Sequence, residues 1–94
     1  MKKRKFVSVW DALETKPAEA ASMKARSELM IAIREIIEEW ATTQASAAKR
    51  LGLTQPRLND LLRGRINKFS LDALIDLATR AGLSVKVEVA RAAA

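Results

Sequence analysis

A glycine and a proline, Gly52 and Pro56, interrupt what would otherwise be one helical run in the middle of the chain. Neither suits a helix interior: glycine loses the most backbone entropy on ordering, and proline lacks an N–H and clashes with the preceding turn. The stretch from Gln44 to Arg63 must therefore fold as two short helices about a turn. Gln44 to Leu51 places Ala45, Ala48 and Leu51 at three-residue intervals on one face. Gly52 stops this helix by taking positive φ, and Leu53 is a single apolar anchor in the turn. Thr54 can cap the next helix with its hydroxyl. Pro56 falls in the first turn, where a missing N–H costs little. Leu58, Leu61 and Leu62 then form an inward stripe, which leaves Gln55, Arg57, Asn59, Asp60 and Arg63 to face outward. Two short helices about a glycine turn, the second carrying Gln, Arg and Asn on its outer face, are what reading the major groove of DNA requires.

Charge placement agrees with this. The 94 residues carry a net charge of +6. Residues 1–43 hold eight Lys/Arg against seven Asp/Glu, whereas residues 44–94 hold nine against four. Between Lys49 and Lys68 six basic residues face only Asp60. The positive excess thus sits on and just after the two short helices, as on a phosphate-binding face. A merely solvated basic surface is the bland alternative. The chain has no cysteine and no histidine, which removes disulfides, thiolate chemistry and the commonest general base and metal ligand. No Gly-rich phosphate loop or nucleophile–base pair is present, and Glu35, Glu38 and Glu39 cluster as a solvated helix face does. No enzyme, metal or cofactor is expected. No apolar run approaches the ~20 residues of a membrane span, and no secretory core follows the basic start, so the expected location is cytoplasmic.

The flanks complete one domain. Residues 1–7 read as a basic tail. Ser8 and Asp11 have capping-box spacing, and Val9, Trp10 and Leu13 give a short helix an apolar side that Pro17 ends. Ala18 to Ala41 is the longest helical pattern, with Ala25, Leu29, Ile33, Ile36 and Trp40 in its stripe and Met30 and Ile37 widening it. Its start, Ala18 to Ala25, is rich in small residues and offers a surface that a partner protein could cover. Thr43 is the cap candidate for the helix that Gln44 opens. After Gly64 comes a polar, basic loop. Ser70 caps a helix from Leu71 to about Arg80, with Leu71, Leu74, Ile75 and Ala78 inward, Leu77 broadening the stripe and Phe69 in the core. Gly82 ends it. Leu83 to Val89 then alternates apolar and polar residues, the pattern of a half-buried strand. A lone strand leaves its backbone groups unpaired. The simplest partner is the same strand of a second copy, joined through Val85, Val87 and Val89 across a two-fold axis. The expected architecture is all-α: five helices in residues 8–83, with residues 84–94 as a dimerisation strand and tail.

Gln44, Ala48, Gly52, Thr54-Gln55, Leu58 and Leu61 stand at the spacing of the phage-repressor helix-turn-helix, and the chain resembles that large family, often called Xre-like. Gln55-Pro56-Arg57, Leu61-Leu62-Arg63-Gly64-Arg65 and Phe69-Ser70-Leu71 look like the branch that includes HigA-type antitoxins. The resemblance covers roughly Ser8 to Val89. One departure stands out. Relatives usually carry Gly and then Leu where this chain has Ala41 and Thr42, and Trp40 is the residue available to fill the missing leucine's space.

Together the resemblance and the local geometry imply residue roles. Gln55 heads the reading helix and can bond adenine N6 and N7; Arg57 can reach guanine O6 and N7 or a phosphate; Asn59 and Asp60 are further base-reading candidates. Asp60 could instead orient Arg57 or Arg63. Gln44, at a helix N-terminus, suits a phosphate, Thr54 can share its hydroxyl between cap and phosphate, and Arg63, Arg65, Asn67, Lys68 and Ser70 should clamp the backbone. Lys49 and Arg50 can be either contacts or solvated charges. Two functions from different classes remain open. One is sequence-specific binding of double-stranded DNA by a homodimeric regulator, most often a repressor in such families. The other is a protein-binding antitoxin that neutralises a ribonuclease-type toxin. The two can coexist, because such antitoxins commonly repress their own promoter.

Overall fold

The computed structural model describes residues 16–92. The basic tail at 1–7 and the expected helix around Val9–Leu13 lie outside the described residues. Four α-helices follow in order: α1 (Pro17–Trp40), α2 (Gln44–Leu51), α3 (Gln55–Leu62) and α4 (Leu71–Arg80), with a single 3₁₀ turn at Ile66–Lys68 before α4.

α1 begins on Pro17 and has Glu19 in its first turn, where a carboxylate suits the helix dipole. Its 24 residues contain no glycine and no internal proline. Met30 and Ile33 are buried, while Leu29, Ile36, Ile37 and Trp40 pack partly buried against the core. α1 ends at Ala41, which takes φ 48 and ψ 47 and donates its N–H to Glu38 O at 3.1 Å. Among the described residues, Ala41 is the one non-glycine residue with positive φ. A left-handed alanine crowds its Cβ against the following carbonyl and costs roughly 1–2 kcal/mol.

The next three helices share one construction. Each has a hydroxyl at its N-cap: Thr43 Oγ1 accepts from Ser46 N at 3.1 Å, Thr54 Oγ1 from Arg57 N at 3.2 Å, and Ser70 Oγ from Ala73 N at 3.1 Å. Each such cap contributes about 1 kcal/mol. At the other ends the backbone wraps back on itself, with Leu53 N donating to Ala48 O, Arg65 N to Asp60 O and Leu83 N to Ala78 O, all at 2.8–3.0 Å. Gly52 (φ 71) is itself the left-handed residue that closes α2. The three hydroxyl caps and the glycine stop at Gly52 agree with the sequence reading.

α1 lies along α4 and touches α3 and the 3₁₀ turn; α2 packs against α3 and reaches α4. The shared core is Met30, Ile33, Ala47, Ala48, Leu51, Leu58, Leu61, Phe69, Leu74, Leu77, Ala78 and Ala81. Full burial of one leucine or isoleucine here stabilises by about 1.5–3 kcal/mol. On α2 the inward face is Ala47, Ala48 and Leu51, and Ala45 is exposed. Ala48 and Leu51 of the expected stripe are buried, but Ala45 is replaced by Ala47, so the buried set steps by one, three and four. Trp40 packs against the core from the edge, and the Arg50 guanidinium covers its ring at 3.7 Å from the centroid. Arg50 is therefore a stacked charge and not simply a solvated one.

Two expectations about architecture are corrected. There are four α-helices and one 3₁₀ turn among the described residues, not five helices, and no β-strand. The segment after Gly82 does keep the alternation read in the sequence. Leu83 and Val85 pack against the core, but Val87 is 78% and Val89 91% exposed. No neighbouring strand lies beside it among the described residues, and without inter-strand hydrogen bonds an alternating pattern makes an extended tail, not a strand. Val85, Val87 and Val89 therefore form no strand within this chain; Val85 packs, partly buried, against its own core.

Candidate nucleic-acid interface

α3 divides sharply. Leu58 and Leu61 are 0% exposed, so the helix cannot rotate about its axis without emptying the core. This fixes what it shows to solvent. Gln55, its first residue, is exposed, as are Pro56 and Arg63 just past its end. Arg57, Asn59 and Asp60 are only half-exposed. Of the residues expected to face outward, Gln55 and Arg63 do so fully.

Arg57 has a definite set of contacts. Its Nη1 donates to Lys68 O at 2.6 Å, and its guanidinium lies 4.0 Å from the centroid of the Phe69 ring. The side chain folds back over the turn that follows α3. A charged donor to a carbonyl is worth roughly 1.5–3 kcal/mol where solvent is excluded and less at a half-exposed site such as this. Asp60 accepts from Arg65 Nη1 at 3.2 Å. Its orienting partner is thus Arg65, not Arg57 or Arg63. That pair, with side chains 21% and 48% exposed, contributes at most about 1 kcal/mol, but it sets the direction of Arg65.

The remaining expected phosphate contacts occupy two settings. Gln44 is the first helical residue of α2 and is exposed, beside the N–H groups at that helix start. Thr54 and Ser70 use a lone pair of their hydroxyls in capping. Each keeps its O–H proton, so a cap can still donate to a phosphate oxygen. Asn67 and Lys68 stand exposed on the 3₁₀ turn, between half-buried Ile66 and buried Phe69. Arg63 and Lys68 have no carboxylate partner among the described residues.

Sequence reading missed Arg26. From α1, its Nη1 donates to Ile66 O and to Phe69 O, each at 3.3 Å, at a half-buried site. A signal existed: Arg26 precedes Met30 by four and Ile33 by seven positions, so a charge stands on the buried face of an otherwise apolar stripe. What that charge meets lies forty residues away and could not be read locally.

The model of a helix-turn-helix domain family matches residues 12–90. No curated protein matches the chain. A solved structure provisionally described as an XRE family transcriptional regulator superposes with a TM-score of 0.72 at 28% identity, over 81% of this chain and 91% of that one. Capped helices, a glycine turn and a match over most of the chain agree: the protein belongs to the helix-turn-helix domain family, and its likeness in fold is to the XRE type.

Proposed function

We propose that the protein is a DNA-binding transcriptional regulator that reads double-stranded DNA through α3. One observation carries the reading. A helix pinned by two fully buried leucines presents Gln55 at its exposed N-terminus, and exposed Arg63 and Lys68, without a carboxylate partner among the described residues, follow it. In this reading Gln55 bonds adenine N6 and N7, with Asn59 beside it on the helix. Gln44, Thr54, Arg63, Arg65, Asn67, Lys68 and Ser70 hold the phosphates. Arg57 reads a guanine only by leaving Lys68 O and the Phe69 ring, so its base contact competes with a contact already made. Asp60, tied to Arg65, aims a phosphate contact in preference to accepting from cytosine.

The resemblance further supports a homodimer on a two-fold operator, acting as a repressor. Half-sites would lie about one helical turn, roughly 10 base pairs, apart. A dimer that neutralises about 6–10 phosphates gives a log–log salt slope of about −5 to −9 in affinity. Fluorescence anisotropy on operator duplexes across a salt series measures it, and a flat response would sink the DNA reading. Gln55→Ala should cost on the order of 1–3 kcal/mol and relax preference at one base position.

A second reading, an antitoxin that masks a ribonuclease-type toxin, has one supporting feature. An open groove of ≈ 750 Å³ runs beside Ala21, Lys24, Ala25 and Leu29 of α1, Leu71 and Ile75 of α4, and the extended tail. This is the small-residue start of α1. Failure of a small protein encoded next to this one to co-purify with it would remove that reading and leave the regulator intact.

A further inference from the structure

The 3₁₀ turn at Ile66–Lys68 carries Asn67 and Lys68. By itself it is weakly determined. Its own bonds are Lys68 N to Arg65 O at 3.0 Å and Phe69 N to Ile66 O at 3.3 Å, and short 3₁₀ segments have poor hydrogen-bond geometry. Two guanidiniums make up the deficit. Arg26 donates one nitrogen to both Ile66 O and Phe69 O, while Arg57 donates to Lys68 O. Three carbonyls of one four-residue stretch are thus held by side chains from two different helices. With the carbonyls committed to these donors, Asn67 and Lys68 are left on the solvent side, and Phe69 O is fixed directly before the Ser70 cap.

We propose that Arg26 is a positioning residue for phosphate binding: from the buried side of α1 it presets the turn that aims Asn67 and Lys68 at the DNA backbone. The inference rests on the DNA-binding reading above. Arg26 contacts no DNA in it. It acts through the turn, as Arg57 does from α3. Arginine suits the place because the rigid guanidinium plane fixes the directions of the two N–H bonds of Nη1, one for each carbonyl, whereas the ammonium of a lysine rotates freely on a flexible stem.

The test compares wild type, Arg26→Gln, Lys68→Ala and the double variant, by anisotropy on specific and unrelated duplexes across a salt series. Circular dichroism confirms that each is folded. Arg26→Gln should weaken all duplexes alike, by roughly tenfold, and should make the salt slope shallower by about 1, as losing one phosphate contact does. In the Lys68→Ala background it should add little, because the two residues serve one contact. A role confined to stability would lower the melting temperature, leave the slope unchanged and add fully to Lys68→Ala; that result overturns the proposal. Where Arg26→Gln fails to fold, Arg26→Lys carries the same test with the charge retained, and an unaltered slope there overturns it equally. A flat salt response in the wild type would instead overturn the DNA reading itself and this inference with it.

Discussion

Two turns border α3, and they share a left-handed glycine and a hydroxyl cap but differ in what holds the rest. The turn before it, from Gly52 to Thr54, is closed by neighbours in sequence: a left-handed glycine, a backbone bond from Leu53 N to Ala48 O, and the Thr54 cap. The turn after it, from Arg63 to Ser70, opens with a similar bond from Arg65 N to Asp60 O. Its remainder has short 3₁₀ bonds of its own and is held further by Arg26, Arg57 and the burial of Phe69. A turn specified by its own residues gives the reading helix a fixed entry angle. A turn specified from a distance lets the rest of the domain set where the backbone clamp lies. Recognition and clamping can thus vary independently along one short segment.

That contrast can be broken at its strongest point first. Phe69 is 2% exposed and underlies Arg57. Phe69→Ala should cost about 3–5 kcal/mol in urea melts and release the second turn. An amide-exchange experiment that found the first turn equally loosened would refute their independence. Gly52→Val comes next. A Cβ there meets φ +71 and Arg80 Nη1 at 2.7 Å. The arginine tip can move aside, so the backbone strain sets the cost, on the order of 1–3 kcal/mol. Here the first turn should suffer and the salt dependence of DNA binding should survive. The smallest effects sharpen the comparison. Thr54→Ala and Ser70→Ala should each lower stability by about 1 kcal/mol, seen as a shifted urea midpoint at unchanged slope. If the two differ strongly in DNA affinity after this correction, only one hydroxyl touches phosphate.

The same contrast explains what could be read from the residues alone. Caps at Thr43, Thr54 and Ser70, the glycine at 52 and the burial of Leu58 and Leu61 follow from local spacing, and all were legible. So was the departure at Ala41. Three features were not. Arg26 and Arg57 act on carbonyls that no sequence window joins to them. The inward face of α2 is offset from the spacing that Ala45 suggested, because Ala47 and Ala48 together meet the core. The alternation from Leu83 to Val89 records that Leu83 and Val85 face inward; it contains nothing about whether a second backbone lies alongside. Periodicity reports sidedness, and a strand also needs a neighbour.

Ala41 has a consequence for how this domain could be altered. Its left-handed backbone holds strain at the joint between the bracing helix and the two-helix reader, and the joint contains no DNA contact in the proposed reading. It is a place where stability can be raised without editing recognition. Ala41→Gly exchanges that strain for a smaller entropic loss, a net gain of about 0.5–1 kcal/mol, readable as a raised melting temperature with operator preference unchanged. The chain thus keeps a reserve of stability in a single methyl group.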